Sequence, residues 1–155
     1  MPGYLLDTNH ISAWEVQHPV LMGRFRASPP ENILWVCPIS LGEVEWGLRV
    51  TATTDPQRRA ASRQFVEDNV LDFVRSIETT TRDSYAEIME RIWRQHPPGN
   101  AGIPTQQHLS TLRVDVNDVW IAAVALEHGL ILLTTDRMET IRACVPELTV
   151  ENWLT

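Results

Sequence analysis

Three short apolar segments, rich in branched and aromatic residues, constrain the fold of this chain more than any other feature. They occupy residues 3–6, 33–37 and 130–133. Continuous apolar runs of this length, with no polar residue at every second position, predict strands that are buried on both faces. A helical pattern follows each of them in the sequence. The chain is therefore expected to adopt a three-layer α/β/α fold, with a mainly parallel sheet of four to five strands and right-handed crossovers.

The remaining segments predict the helices and edges of this fold. The clearest amphipathic helix covers 82–96, where Tyr85, Ile88, Met89, Ile92 and His96 form one apolar stripe that we expect to pack in the core. Ser40 is a good N-cap for a helix that follows the second strand. Further helices are predicted from Thr8, over 20–27 after a break at His18-Pro19, over 57–71, over 118–127 and up to Ala143. Weaker strands are predicted at 73–77 and 148–150. Residues 51–56 are predicted as a turn, and 97–113 as a loose connection.

Length and net charge limit the kinds of protein to which this chain can belong. At 155 residues the chain fits one domain, residues 1–155, with an ordinary core. Its 13 basic residues, all of them Arg, against 20 acidic ones give a net charge of -7. Such a chain lacks the basic footprint of a general nucleic-acid binder, although an acidic surface suits a basic protein partner. A nuclease is still possible, because bound metal ions reverse the local charge of clustered acids.

Cysteine use and hydropathy indicate the compartment. The only cysteines, Cys37 and Cys144, lie far apart in apolar surroundings, which favours reduced thiols in the core. The most apolar run, 119–126, ends at Glu127 before it could span a membrane, and no secretory signal begins the chain. We therefore expect a cytoplasmic protein that does not insert into membranes.

Four acids follow the predicted strands or open a predicted helix: Asp7, Glu43, Asp118 and Asp136. In a parallel sheet, sites form at the carboxyl ends of the strands, so these acids are expected at one edge. Several carboxylates brought together repel one another unless a cation lies among them. Carboxylates with few His or Cys nearby suit Mg²⁺ or Mn²⁺ rather than Zn²⁺.

Each acid also has a purely structural interpretation. Asp7 could simply cap the next helix, and the others could be acids favoured by a helix dipole. At Glu43 the two interpretations compete directly, because Ser40 and Glu43 have the spacing of a capping box, in which the carboxylate turns back onto the Ser40 amide. Taken singly, the structural interpretation is the better one; it is the accumulation of four acids that favours a metal site.

The chain resembles the PIN-domain ribonucleases, and especially the VapC-type toxins of bacterial toxin-antitoxin pairs. The resemblance implies that Asp7, Glu43, Asp118 and Asp136 hold the metal, and that Thr8, Asn9 and Thr134 orient those acids through hydrogen bonds. Asp115 falls outside the acidic pattern of the family. The segments that carry the resemblance are 6–9 (Leu-Asp-Thr-Asn), 40–47 (Ser-Leu-Gly-Glu-Val-Glu-Trp-Gly), 117–125 (Asn-Asp-Val-Trp-Ile-Ala-Ala-Val-Ala), 133–137 (Leu-Thr-Thr-Asp-Arg) and the closing 146–153.

The resemblance also implies a function. It predicts metal-dependent hydrolysis of RNA phosphodiester bonds by a toxin that inhibits translation, with an antitoxin as partner and a homodimer as the assembly. Trp14 and Trp46 are candidates for either interface, although core positions are slightly favoured for both, and His10 is expected in solvent. Two alternatives stay open: an inactive PIN-like module that binds RNA or protein, and a phosphoacceptor domain, which usually needs a Lys that this chain lacks.

Overall fold

The computed structural model describes residues 3–51 and 55–155. Within them, four parallel strands form one sheet in the order β2-β1-β3-β4, which confirms the predicted parallel sheet. The predicted strand at 73–77 is reduced to a single bridge between Val74 and Val36. The strands are β1 (Tyr4–Leu6), β2 (Leu34–Trp35), β3 (Ile131–Leu133) and β4 (Val150–Glu151).

Helices cover both faces of the sheet, so the predicted three-layer α/β/α architecture is confirmed. The predicted turn at 51–56 falls partly on residues 52–54, which lie outside the described residues. In the described part of the chain the helices are α1 (Thr8–Glu15), α2 (Pro19–Ala27), α3 (Pro38–Thr51), α4 (Pro56–Asn69), α5 (Thr81–Gln95), α6 (Thr105–Thr111), α7 (Val116–His128) and α8 (Glu139–Cys144), with one 3₁₀ turn at Leu71–Phe73.

Three local predictions are wrong. Helix α3 begins at Pro38, because proline needs no N–H partner in a first turn, so Ser40 lies inside the helix and not at its N-cap. The connection 97–113 is not loose throughout, since α6 forms within it and buries Leu109. His96 is exposed at the end of α5 instead of completing its apolar stripe, whereas Ile88 and Ile92 are fully buried as predicted.

The core has two parts, one on each face of the sheet. Strand β1 alternates between them, with Leu5 on the face covered by α5, α7 and α8, and Tyr4 and Leu6 on the face covered by α1 and α2. Helix α7 is buried along 121–125, and it ends at Gly129, whose left-handed φ of 61° favours glycine. Both cysteines are free and buried, which confirms the prediction of reduced core thiols.

Of the two tryptophans and the histidine whose surroundings the sequence left open, one matches its prediction and two do not. Trp14 packs edge-on against Phe25 and Phe65 in the second core, as the core interpretation predicted. Trp46, by contrast, is 68% exposed on α3, so its prediction as a core residue is wrong. His10 is not in solvent, because α1 buries it completely and its Nε2 accepts the backbone N–H of Trp153 at 3.1 Å.

The strand order locates the crevice where a site can form. The chain passes from β1 to β2 on one side and then crosses to β3 on the other side of β1, so the direction reverses between β1 and β3. The carboxyl ends of β1 and β3 therefore flank a switch point. At the opposite, amino-terminal edge of the sheet, Gly3 allows the strands to pack closely, since a Cβ on it would lie 3.0 Å from Leu130 Cδ2 and 3.2 Å from the Ile33 carbonyl oxygen. Among the described residues, no helix combines the length and apolarity needed to cross a membrane.

Candidate functional site

Asp7 lies at the centre of this switch point, immediately after β1. Its backbone N–H donates to the Leu133 carbonyl of β3 at 2.9 Å, and its side chain caps α1 by accepting the Thr8 N–H at 2.7 Å. The second carboxylate oxygen accepts the Thr134 hydroxyl at 2.8 Å. Burial raises the pKa of Asp7, Glu43 adds to the increase, and these hydrogen bonds oppose it. The capping prediction is confirmed, and it leaves the site prediction open, because the capping carboxylate lies at the sheet switch point.

Glu43 does not form the capping box. Its Oε2 accepts the hydroxyl proton of Thr8, and its Oε1 accepts the side-chain amide of Asn117 at 3.0 Å. The two donors come from α1 and α7, so three helices meet at this carboxylate. Ser40, the other member of the supposed box, is buried with its hydroxyl 3.7 Å from Cys37 Sγ. The structure therefore supports the interpretation in which Glu43 is directed toward the sheet edge, and not the capping box with Ser40.

Asp118 lies in the first turn of α7 and is the most perturbed acid of the group. Burial raises its pKa to about 7, and the charges of Asp136, Asp7, Asp115 and Glu43, in that order, contribute to the increase. All three other predicted site acids are therefore close enough to influence Asp118. Within residues 3–51 and 55–155, no Arg or His forms an ion pair with any of the four.

Asp136 occupies the turn after β3 and is the most exposed of the four acids. Its Oδ1 accepts the Met138 N–H at 2.8 Å, which fixes the carboxylate in the turn. Its own N–H donates to the Thr134 hydroxyl at 3.1 Å. Thr134 thus connects two of the predicted site acids, since its hydroxyl donates to Asp7 and accepts from Asp136.

The other predicted polar residues differ in what they contact. Thr8 connects Asp7 and Glu43, one through its N–H and the other through its hydroxyl. Asn9 is exposed and donates to the hydroxyl of Thr135 at 2.6 Å, so it ties α1 to the turn after β3 and contacts none of the acids. Asp115 is exposed and caps α7 by accepting the Asn117 N–H at 2.7 Å, which is a structural role.

Asn117 is the residue that the sequence reasoning missed. In the sequence it is only the first residue of segment 117–125, yet its side-chain amide donates to Glu43 across a separation of 74 residues. An uncharged amide beside a carboxylate gives no distinctive pattern in a single sequence. The available signal was its position one residue before a site acid, in the first turn of a helix that opens at the sheet edge.

The donor set fits a hydrated Mg²⁺ or Mn²⁺ better than a tightly caged ion. In the described part of the chain, no three His, Cys, Asp or Glu side chains gather as a ready-made cage for a metal. Mg²⁺ does not need such a cage, because it retains several waters and binds proteins through one or two carboxylates. The four acids provide carboxylate oxygens of that kind, and hydroxyl, amide or backbone donors already orient Asp7, Glu43 and Asp136. The chemistry of these residues is therefore compatible with the ion that the sequence predicted.

Comparisons with solved structures identify similar folds. The chain is similar to VapBC2 from Rickettsia felis bound to a promoter DNA fragment, with 17% identity, a TM-score of 0.70 and coverage of 97% of this chain and 98% of that one. It is similar to VapBC-1 from nontypeable Haemophilus influenzae, with 18% identity, a TM-score of 0.70 and 99% coverage of both chains. For DNA-bound VapBC from Salmonella typhimurium the values are 21%, 0.69 and 99% of both chains.

At these identities, the likeness to solved structures establishes the fold alone. No curated protein matches the chain. A family model does match it: the model of the PIN domain aligns with residues 4–143, from β1 into α8. That range contains the sheet switch point and all four predicted site acids. The chain therefore belongs to the PIN domain family.

Proposed function

We propose that this protein is a Mg²⁺- or Mn²⁺-dependent endoribonuclease, the toxin of a type II toxin-antitoxin pair that inhibits translation, with residues 1–155 forming one PIN domain. The observation that carries the proposal is the meeting of Asp7, Glu43, Asp118 and Asp136 at the sheet switch point, where no Arg or His of the described ranges forms an ion pair with them. Acids that destabilise one another in this way are explained by a bound cation more readily than by helix capping.

In this proposal the chain orients its carboxylates before substrate arrives. Asp7 is fixed by the Thr8 N–H and the Thr134 hydroxyl, and Glu43 by Thr8 and Asn117. These donors are uncharged, so they hold the carboxylates in position without neutralising them. Asp118, whose pKa is about 7 in the metal-free protein, releases its proton when a cation binds.

Asp7, Glu43 and Asp118 would hold the cation directly or through water, and Asp136 would complete the site or accept a proton from the attacking water. When bound, such an ion lowers the pKa of water and stabilises charge on the phosphoryl oxygens and the leaving group. The side chains of this protein then keep the RNA phosphate and the attacking water on the same side of the sheet.

The proposed partners are RNA, an antitoxin and a second copy of the chain. VapBC-5 from Mycobacterium tuberculosis, another similar structure, is a member of the VapBC family of toxin-antitoxin systems, and the net charge of -7 here favours a basic partner. An antitoxin Arg placed among the site acids would make strong, charge-assisted pairs. Trp46 and Val50, 68% and 54% exposed, form an apolar surface on α3 next to Glu43. This surface is the best candidate for either protein interface, because large exposed apolar side chains commonly mark contact sites.

Cleavage of total RNA tests the proposal. The purified protein is incubated with Mg²⁺ or Mn²⁺ beside the variants Asp7→Asn and Asp118→Asn, and the fragment ends are sequenced. The matched control is Asp83→Asn, which removes an exposed acid at the start of α5 that pairs only with Arg82. We expect discrete cuts from the wild type and the control, and none from the two site variants.

The alternative of an inactive binding module predicts different results. It gives no cuts from any variant, or equal cuts that show a contaminating nuclease. Thermal unfolding in EDTA and then in Mn²⁺ provides a second measurement: metal binding should raise the Tm of the wild type and much less that of Asp7→Asn. A Tm that does not respond to metal in either protein would contradict the metal-dependent mechanism.

A further inference from the structure

A cavity of about 450 Å³ opens beside the acids and is not used by the proposed metal chemistry. Asp118 and Asp136 line one side of it, and Leu112, Met138 and Ile141 provide apolar lining. Arg113 and Arg137 are its only cationic lining residues. A cavity of this size falls in the range of small-molecule and cofactor pockets, whereas an ion and its waters need far less space.

Neither of the two arginines has a strong carboxylate partner in the described part of the chain, as is also true of several arginines elsewhere, such as Arg24, Arg58 and Arg142. Arg49 and Arg63 bind Glu45 at 2.8 and 2.6 Å, whereas Arg113 forms no ion pair within residues 3–51 and 55–155. Arg137 approaches only Glu139, at 3.7 Å, and both side chains are largely exposed, so this pair contributes little. In a protein with a charge of -7, two available guanidinium groups beside the acids are unexpected.

The backbone of the cavity wall is held in an unfavourable conformation at two points. Arg113 and Met138 have φ values of 54° and 46°, and Gln17 is the one further non-glycine residue with positive φ in the described ranges. Left-handed residues of this kind occur at helix ends and turns as well as at ligand-binding positions: Arg113 follows the C-terminal end of α6, where the Val114 N–H donates to the Leu109 carbonyl at 3.0 Å, and Met138 directly precedes α8. A hydrogen bond of 3.1 Å from the Thr140 hydroxyl to the Leu112 carbonyl connects the two sides of the cavity.

We propose that this cavity binds the nucleotide next to the scissile phosphate in single-stranded RNA, with Arg113 and Arg137 contacting its phosphate group. The proposal rests on the nuclease function proposed above. Guanidinium groups bind phosphate oxygens through charge-assisted, often bidentate, hydrogen bonds. The apolar wall accepts the face of a base or ribose. Because Asp118 and Asp136 also line the cavity, the scissile phosphate of the same RNA then lies beside the proposed metal site. A single-stranded substrate is required because a paired base could not enter the cavity.

Binding measurements test the cavity independently of cleavage. Fluorescence anisotropy of a labelled single-stranded RNA is recorded with Mg²⁺ in the Asp7→Asn background, so that cleavage does not consume the ligand. The variants Arg113→Gln and Arg137→Gln are compared with Arg82→Gln, an exposed Arg near the opposite end of α7, since the neighbouring Thr80 and Thr81 contact Glu127 there. We expect each cavity variant to weaken binding by about 5- to 10-fold and to reduce the salt slope by about 0.7. The Arg82 variant should leave both unchanged.

Competition identifies the ligand of the cavity. A nucleoside 5′-monophosphate should displace the RNA at a concentration at least about tenfold lower than inorganic phosphate does, because the cavity contacts base or ribose as well as phosphate. Equal displacement by the two would overturn the assignment of a nucleotide site and leave only a phosphate contact. If neither compound displaces the RNA, the proposal that the cavity binds RNA is refuted.

Kinetics on the otherwise unmodified protein separate failure of the cavity from failure of the nuclease. If the wild type cleaves RNA, the two arginine variants should raise KM about 5- to 10-fold with kcat nearly unchanged, the result of losing binding that is equal in ground and transition states. Cleavage with unchanged KM in both variants refutes the cavity and retains the nuclease. No cleavage, together with arginine-dependent RNA binding, refutes the nuclease and retains the cavity as an RNA site.

Discussion

Replacing Asp118 by Asn should stabilise the metal-free protein at neutral and alkaline pH. Burial and the neighbouring acids raise the pKa of Asp118 to about 7, far above its usual value of 3.8. Between these two pH values the folded state keeps the Asp118 proton while the unfolded state loses it. The folded state then binds more protons, so the free energy of unfolding falls as pH rises and levels off above about pH 7. Asn cannot ionise, so the free energy of unfolding of the Asp118→Asn variant does not fall with pH in this way.

The size of the effect follows from the shift. One pH unit corresponds to about 1.4 kcal/mol, so the full shift from 3.8 to about 7 is equivalent to about 4 kcal/mol. Water still reaches Asp118, and screening reduces that figure, which leaves an expected difference of about 1–2 kcal/mol between variant and wild type at about pH 8. At about pH 5 the difference should be only about a third of its value at about pH 8, because the unfolded state begins to lose the Asp118 proton near its usual pKa of 3.8.

Urea denaturation in EDTA at about pH 5 and about pH 8 measures both quantities. Asp83→Asn is the matched control, since its exposed carboxylate should give no pH-dependent difference of this kind. Adding Mn²⁺ at the higher pH should reverse the order, because the wild type gains stability from metal binding and the variant gains less. A variant that is equally or less stable than the wild type in EDTA at about pH 8 would refute the reasoning.

Three further predictions concern residues around the site. Asn117→Ala should lower kcat about tenfold with little change in the free energy of unfolding, because Glu43 loses one of its two hydrogen-bond donors. Single-turnover cleavage measures the rate, and an unchanged rate would contradict the positioning role of Asn117. His10→Ala should lower the free energy of unfolding by about 2–4 kcal/mol in urea, since it leaves a cavity and an unpaired N–H on Trp153, whereas His10→Gln, which can still accept that bond, should cost less. Trp46→Ser should change that free energy by less than about 0.5 kcal/mol, and a larger loss would mean that Trp46 packs in the core.

The sequence alone determined the sheet and the edge where the acids lie. Apolar runs without polar alternation can be satisfied only between two helical layers, so the buried strands and the parallel sheet follow from local pattern. The acid after a strand must also lie at the carboxyl edge, which located Asp7 and Asp136 before any coordinates. Gly129 likewise ended α7 where left-handed backbone was expected. These features depend on residues close together in the chain.

The tertiary structure alone decided how particular side chains are used. Ser40 and Glu43 have the spacing of a capping box, but Pro38 starts the helix earlier and Thr8 and Asn117 arrive from distant segments to bind the carboxylate. His10 is buried because the C-terminal segment returns across α1, and Trp46 is exposed because the described residues place nothing over that face of α3. A contact between residues separated by 74 positions leaves no local pattern, so the family resemblance indicated Thr8 and Thr134 as donors to the acids, but nothing in the sequence indicated Asn117.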